Sequence, residues 1–181
     1  MARLRVPKTA PIVQKLCKEA GVKLRRFTKP EAFEKEVVKF LKRHDTVYLA
    51  TSSRDVPRCT PLGYEHIGTT LYILSEGGGK LANLKKNPKV CYAISSRIKG
   101  GRGLMKIAGL QCWGKAAVIS MKNDKERFYA LLEKLKAWQI IKKQDYKKLL
   151  PYHYRVIKIT PDRITLLNLP EGINNITWSR R

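Results

Sequence analysis

The sequence Leu71-Tyr72-Ile73-Leu74-Ser75-Glu76-Gly77-Gly78-Gly79-Lys80-Leu81 changes character halfway along. With Thr69 and Thr70 before it, its first half is β-branched and aromatic, the composition of a strand. Three glycines then break the chain, and a short helix follows from about Lys80 to Lys86, stopped by Asn87-Pro88. The first N–H groups of a helix have no intrahelical partner, so that end attracts anions, and glycines let a phosphate approach the backbone. Lys80 adds a full charge at the same point. This is not a P-loop, because no glycine sits five positions before Gly79 and Leu81 stands where the magnesium-holding hydroxyl would be. Taken alone, the pattern also describes a flexible turn with a surface lysine.

Upstream, Thr28-Lys29-Pro30-Glu31 reads as a helix start, with Thr28 as N-cap, Pro30 in the first turn and Glu31 closing a capping box. Phe33, Val37, Phe40 and Leu41 then place one apolar face on that helix. Thr46 to Thr51 is strand-like, Ser52 to Asp55 turn-rich, and Pro57 to Glu65 alternates, with His66-Ile67-Gly68 as the turn before Thr69 to Ser75. Downstream, Val90 to Ser95 and Leu104 to Ser120 are strands joined through Gly100-Gly101-Arg102-Gly103, and Gly109 and Gly114 suit a bend in the longer one. Met121 to Leu150 holds a helix with Phe128, Leu131, Leu132 and Leu135 on one face, then a second basic helical piece. Tyr154 to Thr160 and Arg163 to Leu169 read as a closing hairpin around Pro161-Asp162. The class expected is α+β, mostly β: a small antiparallel barrel with flanking helices.

Composition narrows the function. In 181 residues, 43% hydrophobic content is too high for a disordered basic tail, and the length suits one domain. No apolar run approaches the roughly 18 residues of a membrane span, and the basic N-terminus has no apolar segment of the signal-peptide kind. Cys17, Cys59, Cys91 and Cys112 are isolated, with no histidine at ligand spacing; buried thiols in a reducing cytoplasm, and no metal, are expected. The charge is the outlier: 38 Lys+Arg against 14 Asp+Glu give +24. Residues 1–29, a basic N-terminal arm, hold nine cations and one acid, Glu19. From Gly77 to Asn123 there are ten cations and no acid: Lys80, Lys85, Lys86, Lys89, Arg97, Lys99, Arg102, Lys106, Lys115 and Lys122. Such a span concentrates anions around it.

The order Leu49-Ala50-Thr51, Val56 to Leu62, Leu71 to Leu74, Gly79-Lys80 and Asn83 to Val90 resembles the flavin-binding split-barrel family related to pyridoxamine 5′-phosphate oxidase, over roughly residues 30 to 120. The resemblance implies a six-stranded antiparallel split β-barrel over 30–181, with 121–150 as a helical insertion. It also implies a homodimer with FMN in the groove between subunits. On that basis Thr60, Pro61 and Leu62 are flavin-edge contacts, and Arg58 reaches the phosphate or a substrate anion. Leu74, Ser75, Gly79 and Lys80 match the phosphate-binding turn. Gln111 and Trp113 share a strand face that in relatives packs near the flavin of the partner subunit. The oxidase itself has a Ser-Arg pair before the lysine, where this chain has Gly78-Gly79. Trp178 and Arg180 resemble a C-terminal Trp and Arg of the oxidase at a different spacing. Both departures argue against the oxidase's own activity.

Several alternatives stand beside this. A deazaflavin on the same fold suits the lysine-rich groove through its acidic tail, and haem lacks a well-placed histidine. His44, His66 and His153 sit at element edges, as solvated or capping residues do, so no acid–base pair is nominated. Cys59 beside the flavin edge reads as packing. A basic nucleic-acid-binding barrel would need exposed aromatics on its strands. Only Tyr72, Tyr92 and Trp113 lie in strands near charge. The expected partner is therefore a small anionic molecule, with neither nucleic acid nor a membrane.

Overall fold

The computed structural model describes residues 2–96, 103–135 and 153–180. Arg97, Lys99, Arg102 and the second basic helical piece expected up to Leu150 lie outside the described residues. The strands are β1 (Arg3–Arg5), β2 (Thr46–Ser53), β3 (Val56–Gly63), β4 (Glu65–Ile67), β5 (Thr70–Ser75), β6 (Lys89–Ser95), β7 (Ala108–Ile119), β8 (Arg155–Asn168) and β9 (Ile173–Ser179). The helices are α1 (Pro11–Glu19), α2 (Pro30–Leu41), α3 (Gly79–Lys86) and α4 (Lys125–Lys134). The fold is α+β, mostly antiparallel β, with nine strands among the described residues. No helix among the described residues is long and apolar enough to cross a membrane. The chain divides into two compact units: residues 1–44, 91–113 and 161–181, and residues 45–90 and 114–160.

In the first unit, β9 lies between β1 and β8, with Ser179 opposite both Arg3 and Arg163. α2 buries Phe33, Val37, Phe40 and Leu41, the face its sequence predicts. Its start differs from the expected capping box. Lys29 is the N-cap, no side chain caps it, and Pro30 takes the first helical position, where its missing N–H costs nothing. The basic N-terminal stretch is folded: β1 joins the sheet and α1 buries Cys17.

In the second unit, β2 and β3 form a hairpin over the full register from Thr46↔Gly63 to Ser53↔Val56. Arg54 and Asp55 at its tip both have positive φ, 53° and 59°. That two-residue turn matches the right-handed twist of the strands, and Asp tolerates the conformation. His66 and Ile67 are not turn residues: they lie in β4, paired with Leu71 and Thr70, and Gly68 with φ 59° makes the reversal. β5 pairs with the first part of β8, from Leu71↔Ile159 to Ser75↔Arg155. Tyr72, Ile119, Phe128, Leu131, Leu132, Tyr154 and Val156 form a hydrophobic cluster in the core of this unit.

The expected hairpin around Pro161-Asp162 is corrected to one continuous strand, β8. Its partner changes along its length: the β5 ladder ends at Ile159 and the β9 ladder begins at Arg163. Pro161 falls between these two ladders. The reversal comes later, through Leu169–Glu171 and Gly172, whose φ is 71°. Likewise Leu104–Lys106 is a turn of 3-10 helix, so the long strand starts only at Ala108.

Candidate functional site

α3 starts directly after β5 in the second unit. Gly78 is its N-cap with φ 98°, a setting that a side chain resists, and its first turn holds no acid. Lys80 Nζ donates to the Gly77 carbonyl at 2.7 Å, folding the ammonium back over the glycine turn. A Cβ on Gly79 would lie 2.7 Å from Arg58 Nε and 2.9 Å from its second terminal nitrogen. The Arg58 guanidinium therefore packs on the Gly79 backbone, and only glycine leaves it room. Burial, then the charge of Arg58, hold the Lys80 ammonium below the ordinary lysine range, against the pull of Glu76. Two cations thus converge on the free end of a helix, and neither forms an ion pair among the described residues.

The framework holding them is one hairpin. Arg58 lies on β3 opposite Thr51 of β2. Thr51 accepts from Asn83 Nδ2 at 3.2 Å, and the Ser52 carbonyl accepts from Asn87 Nδ2 at 3.2 Å. The strand pair that presents the guanidinium is therefore tied at two points to the helix it serves. Ser75, the last residue of β5, is buried, and its hydroxyl has no hydrogen-bond partner among the described residues. A buried hydroxyl without a partner costs about 1–3 kcal/mol. One that ends a strand just before an anion-attracting turn is suited to a ligand.

Thr60, Pro61 and Leu62 follow Arg58 on β3, opposite Leu49, Tyr48 and Val47. β3 pairs with β2 alone among the described residues, and Pro61 fits such an edge because it has no N–H to offer. Leu74 is half-buried and packs against the core of its unit, a structural contact. The geometry thus brings Arg58, Gly79 and Lys80 together, with Ser75 at the head of the same turn.

Gln111 and Trp113 belong to the first unit. They share the exposed side of β7, as their spacing predicts. Gln111 lines a cleft of about 290 Å³ with Ser95, Gly109 and Thr165. Cys112 between them is buried, and burial pushes its thiol up to about 12. The Arg163 guanidinium stacks over the Trp113 ring at 3.8 Å. Arg163 escapes a sequence reading that places a turn at 161–162; alternation carried through Pro161 would find it. Trp178 is buried, paired with Leu4 and Ile164 across the sheet. The Arg180 backbone N–H donates to the Asp162 carbonyl. His44 is held by the Phe40 carbonyl and the Ser96 hydroxyl and stacks on Phe40. It is a structural residue. Cys59 is exposed.

A family model described as pyridoxamine 5′-phosphate oxidase matches residues 33–168. A solved Listeria innocua protein, provisionally described as a pyridoxamine 5′-phosphate oxidase, is 26% identical with a TM-score of 0.57, covering 75% of this chain and 98% of that one. General stress protein 26 from Bacillus anthracis is 20% identical with a TM-score of 0.51, over 75% of this chain and 94% of that one. A FAD-binding protein from Mesorhizobium loti is 18% identical with a TM-score of 0.52, over 81% and 94%. The last two share the fold. No curated protein sequence matches significantly.

Proposed function

The chain belongs to the pyridoxamine 5′-phosphate oxidase family, and on that premise we propose that it binds FMN as a homodimer and acts as an oxidoreductase on a small anionic molecule. The observation that carries this reading is the turn at the start of α3. The Arg58 guanidinium rests on Gly79, the Lys80 ammonium folds over Gly77, and the buried Ser75 hydroxyl has no partner among the described residues. A phosphate fits that donor set, since two like charges brought together are relieved by an anion between them. When bound, FMN supplies the redox chemistry, and the chain supplies binding and orientation.

The residues divide that work. Lys80 and Arg58 neutralise the phosphate, and the free N–H groups of α3 point at it. Arg58 also compensates for a departure from the oxidase. This chain has glycine where the oxidase has the arginine of its Ser-Arg pair, and β3 returns a guanidinium to the same spot. In this reading Thr60, Pro61 and Leu62 offer backbone groups to the flavin edge, and Gln111 and Trp113 face the flavin of the other protomer. The edge of β3, unpaired among the described residues, and the exposed Tyr48 and Val56 support dimerisation.

The test is the visible spectrum of the purified protein, before and after adding FMN or a deazaflavin. The expected result is the two-banded absorption of a bound oxidised flavin, with FMN titrating to one site per chain. Lys80→Ala should weaken FMN by about tenfold or more, the size of one charged hydrogen bond. A colourless protein that takes up neither compound sinks the reading. Preferential uptake of deazaflavin would reassign the cofactor on the same site.

A further inference from the structure

The N-terminal segment carries a second cationic site, and nothing in the flavin reading uses it. It precedes residues 33–168, the part that matches the family. Within the first unit it is nonetheless fixed in place. β1 pairs with β9, the Arg25 N–H donates to the Gly172 carbonyl at 2.8 Å, and Asn174 Nδ2 donates to the Thr9 hydroxyl at 3.2 Å. Gly172 has φ 71°, and a side chain there would collide with the Lys23 carbonyl, so the close approach of the segment depends on that glycine.

Between these anchors lies a cleft of about 720 Å³, with Lys8, Arg25 and Arg26 among its lining residues beside Phe27, Leu24 and Ile176. Arg25 is already committed: it pairs with Glu36 at 3.0 Å, and its guanidinium lies 4.8 Å from the Phe27 ring centre. Lys8 and Arg26 are exposed and have no ion-pair partner among the described residues. Arg3, Arg5, Lys23 and Lys29 flank the cleft in the chain, all exposed and equally unpaired. The result is a cleft lined by planar groups and by the free cations Lys8 and Arg26, with further free cations close by in the chain.

We propose that this cleft binds single-stranded nucleic acid. The chemistry is the pairing of a cationic track, which follows phosphates, with arginine and aromatic planes, against which bases stack. The charge extends along the segment beyond the cleft, which suits a polymer better than one nucleotide. A flat bilayer cannot enter a cleft, and Val6 and Ile12 are the only exposed large apolar residues among the segment's described residues. The expectation against nucleic acid concerned aromatics on the barrel strands; this surface lies before them. It is independent of the turn at α3.

The full chain is titrated against a fluorescein-labelled single-stranded RNA of mixed sequence, about 16 nucleotides long, at several salt concentrations. Binding is expected, with affinity falling as salt rises. Lys8→Glu with Arg26→Glu should weaken it by about tenfold or more and make the salt dependence shallower by about 1.4 in log–log slope, two phosphate contacts' worth. Lys8→Arg with Arg26→Lys should retain binding, and both doubles should keep the same flavin titration and thermal midpoint as the parent. No RNA binding at low salt overturns the proposal. So does RNA binding that survives the charge reversal, or that is lost instead in Lys80→Ala. Competition by a free mononucleotide as effective, per phosphate, as the RNA, or by phosphatidylserine vesicles at equal charge, also overturns it.

Discussion

Position 79 shows how one residue type can be exchanged for a contact from elsewhere in the chain. Glycine there leaves the space in which the Arg58 guanidinium sits. Gly79→Ala should push that guanidinium aside and lower FMN affinity, while stability changes by no more than about 0.5 kcal/mol. The atoms displaced are the mobile end of a long side chain, and alanine favours a helix. Arg58→Ala should lose about tenfold in affinity, and adding Gly79→Arg to it should recover part of that loss. If the double variant binds no better than Arg58→Ala, the guanidinium at that spot is not a ligand. Lys80 adds a pH signature. In the free protein its pKa is lowered by burial and by Arg58, and a bound phosphate raises it again. Binding therefore takes up protons in the alkaline window between the two values. FMN affinity should fall as pH rises through the free-protein value, and Lys80→Met should flatten that fall in a fluorescence titration.

Elements differ in how much of themselves the sequence shows. β2, β3, β5 and α3 carry strong local signals: β-branched runs, a polar turn, three glycines and a terminating Asn-Pro. β2 pairs with β3, and β5 with β4, across short turns, so there local pattern and tertiary structure agree. β8 and β9 do not read that way, because β8 pairs first with β5, far back in the chain, and then with β9, and Pro161 falls where these partners change. β9 is distorted at Asn175, whose φ is 47°, which shifts the alternation of Ile173, Ile176 and Trp178. The same distance hides Glu171. It follows β8, yet it accepts from Lys39 at 3.0 Å and from Arg43 on and beside α2. Burial pushes its carboxyl up, but those two hydrogen bonds outweigh it and hold the group below the usual carboxylate range. A lowered folded-state pKa gives stability that is present above the unfolded value and lost as pH falls through the folded one. Lys39 and Arg43 are half-exposed and screened, so Glu171→Gln should cost about 0.5–1 kcal/mol at neutral pH. Urea midpoints of parent and variant should converge in acid; a constant difference at all pH values would assign the effect to packing.

Across the whole chain, the excess of cations divides by location, and the division makes a claim about folding. The acid-free span from Gly77 to Asn123 includes the turn at α3, whereas the nine cations before Pro30 stand on a segment that the family match omits. If that segment were only a solubilising tail, removing it would change charge and little else. Its contacts say otherwise. β1 supplies one edge of β9, Cys17 is fully buried, and the Arg25–Glu36 pair and the Arg25–Gly172 bond join the segment to α2 and to the turn before β9. Deleting residues 2–29 would leave β9 as an unprotected edge, the kind that recruits other strands, and would expose the surface that covers Cys17. The truncated protein should therefore melt several degrees lower, since about 1 kcal/mol corresponds to about 2–4 °C in a domain of this size, and should aggregate faster near its midpoint. Flavin titration should persist at low temperature, because Arg58, Ser75 and Lys80 belong to the other unit. Calorimetry with light scattering decides the matter: an unchanged midpoint would show that the folded arm contributes charge alone.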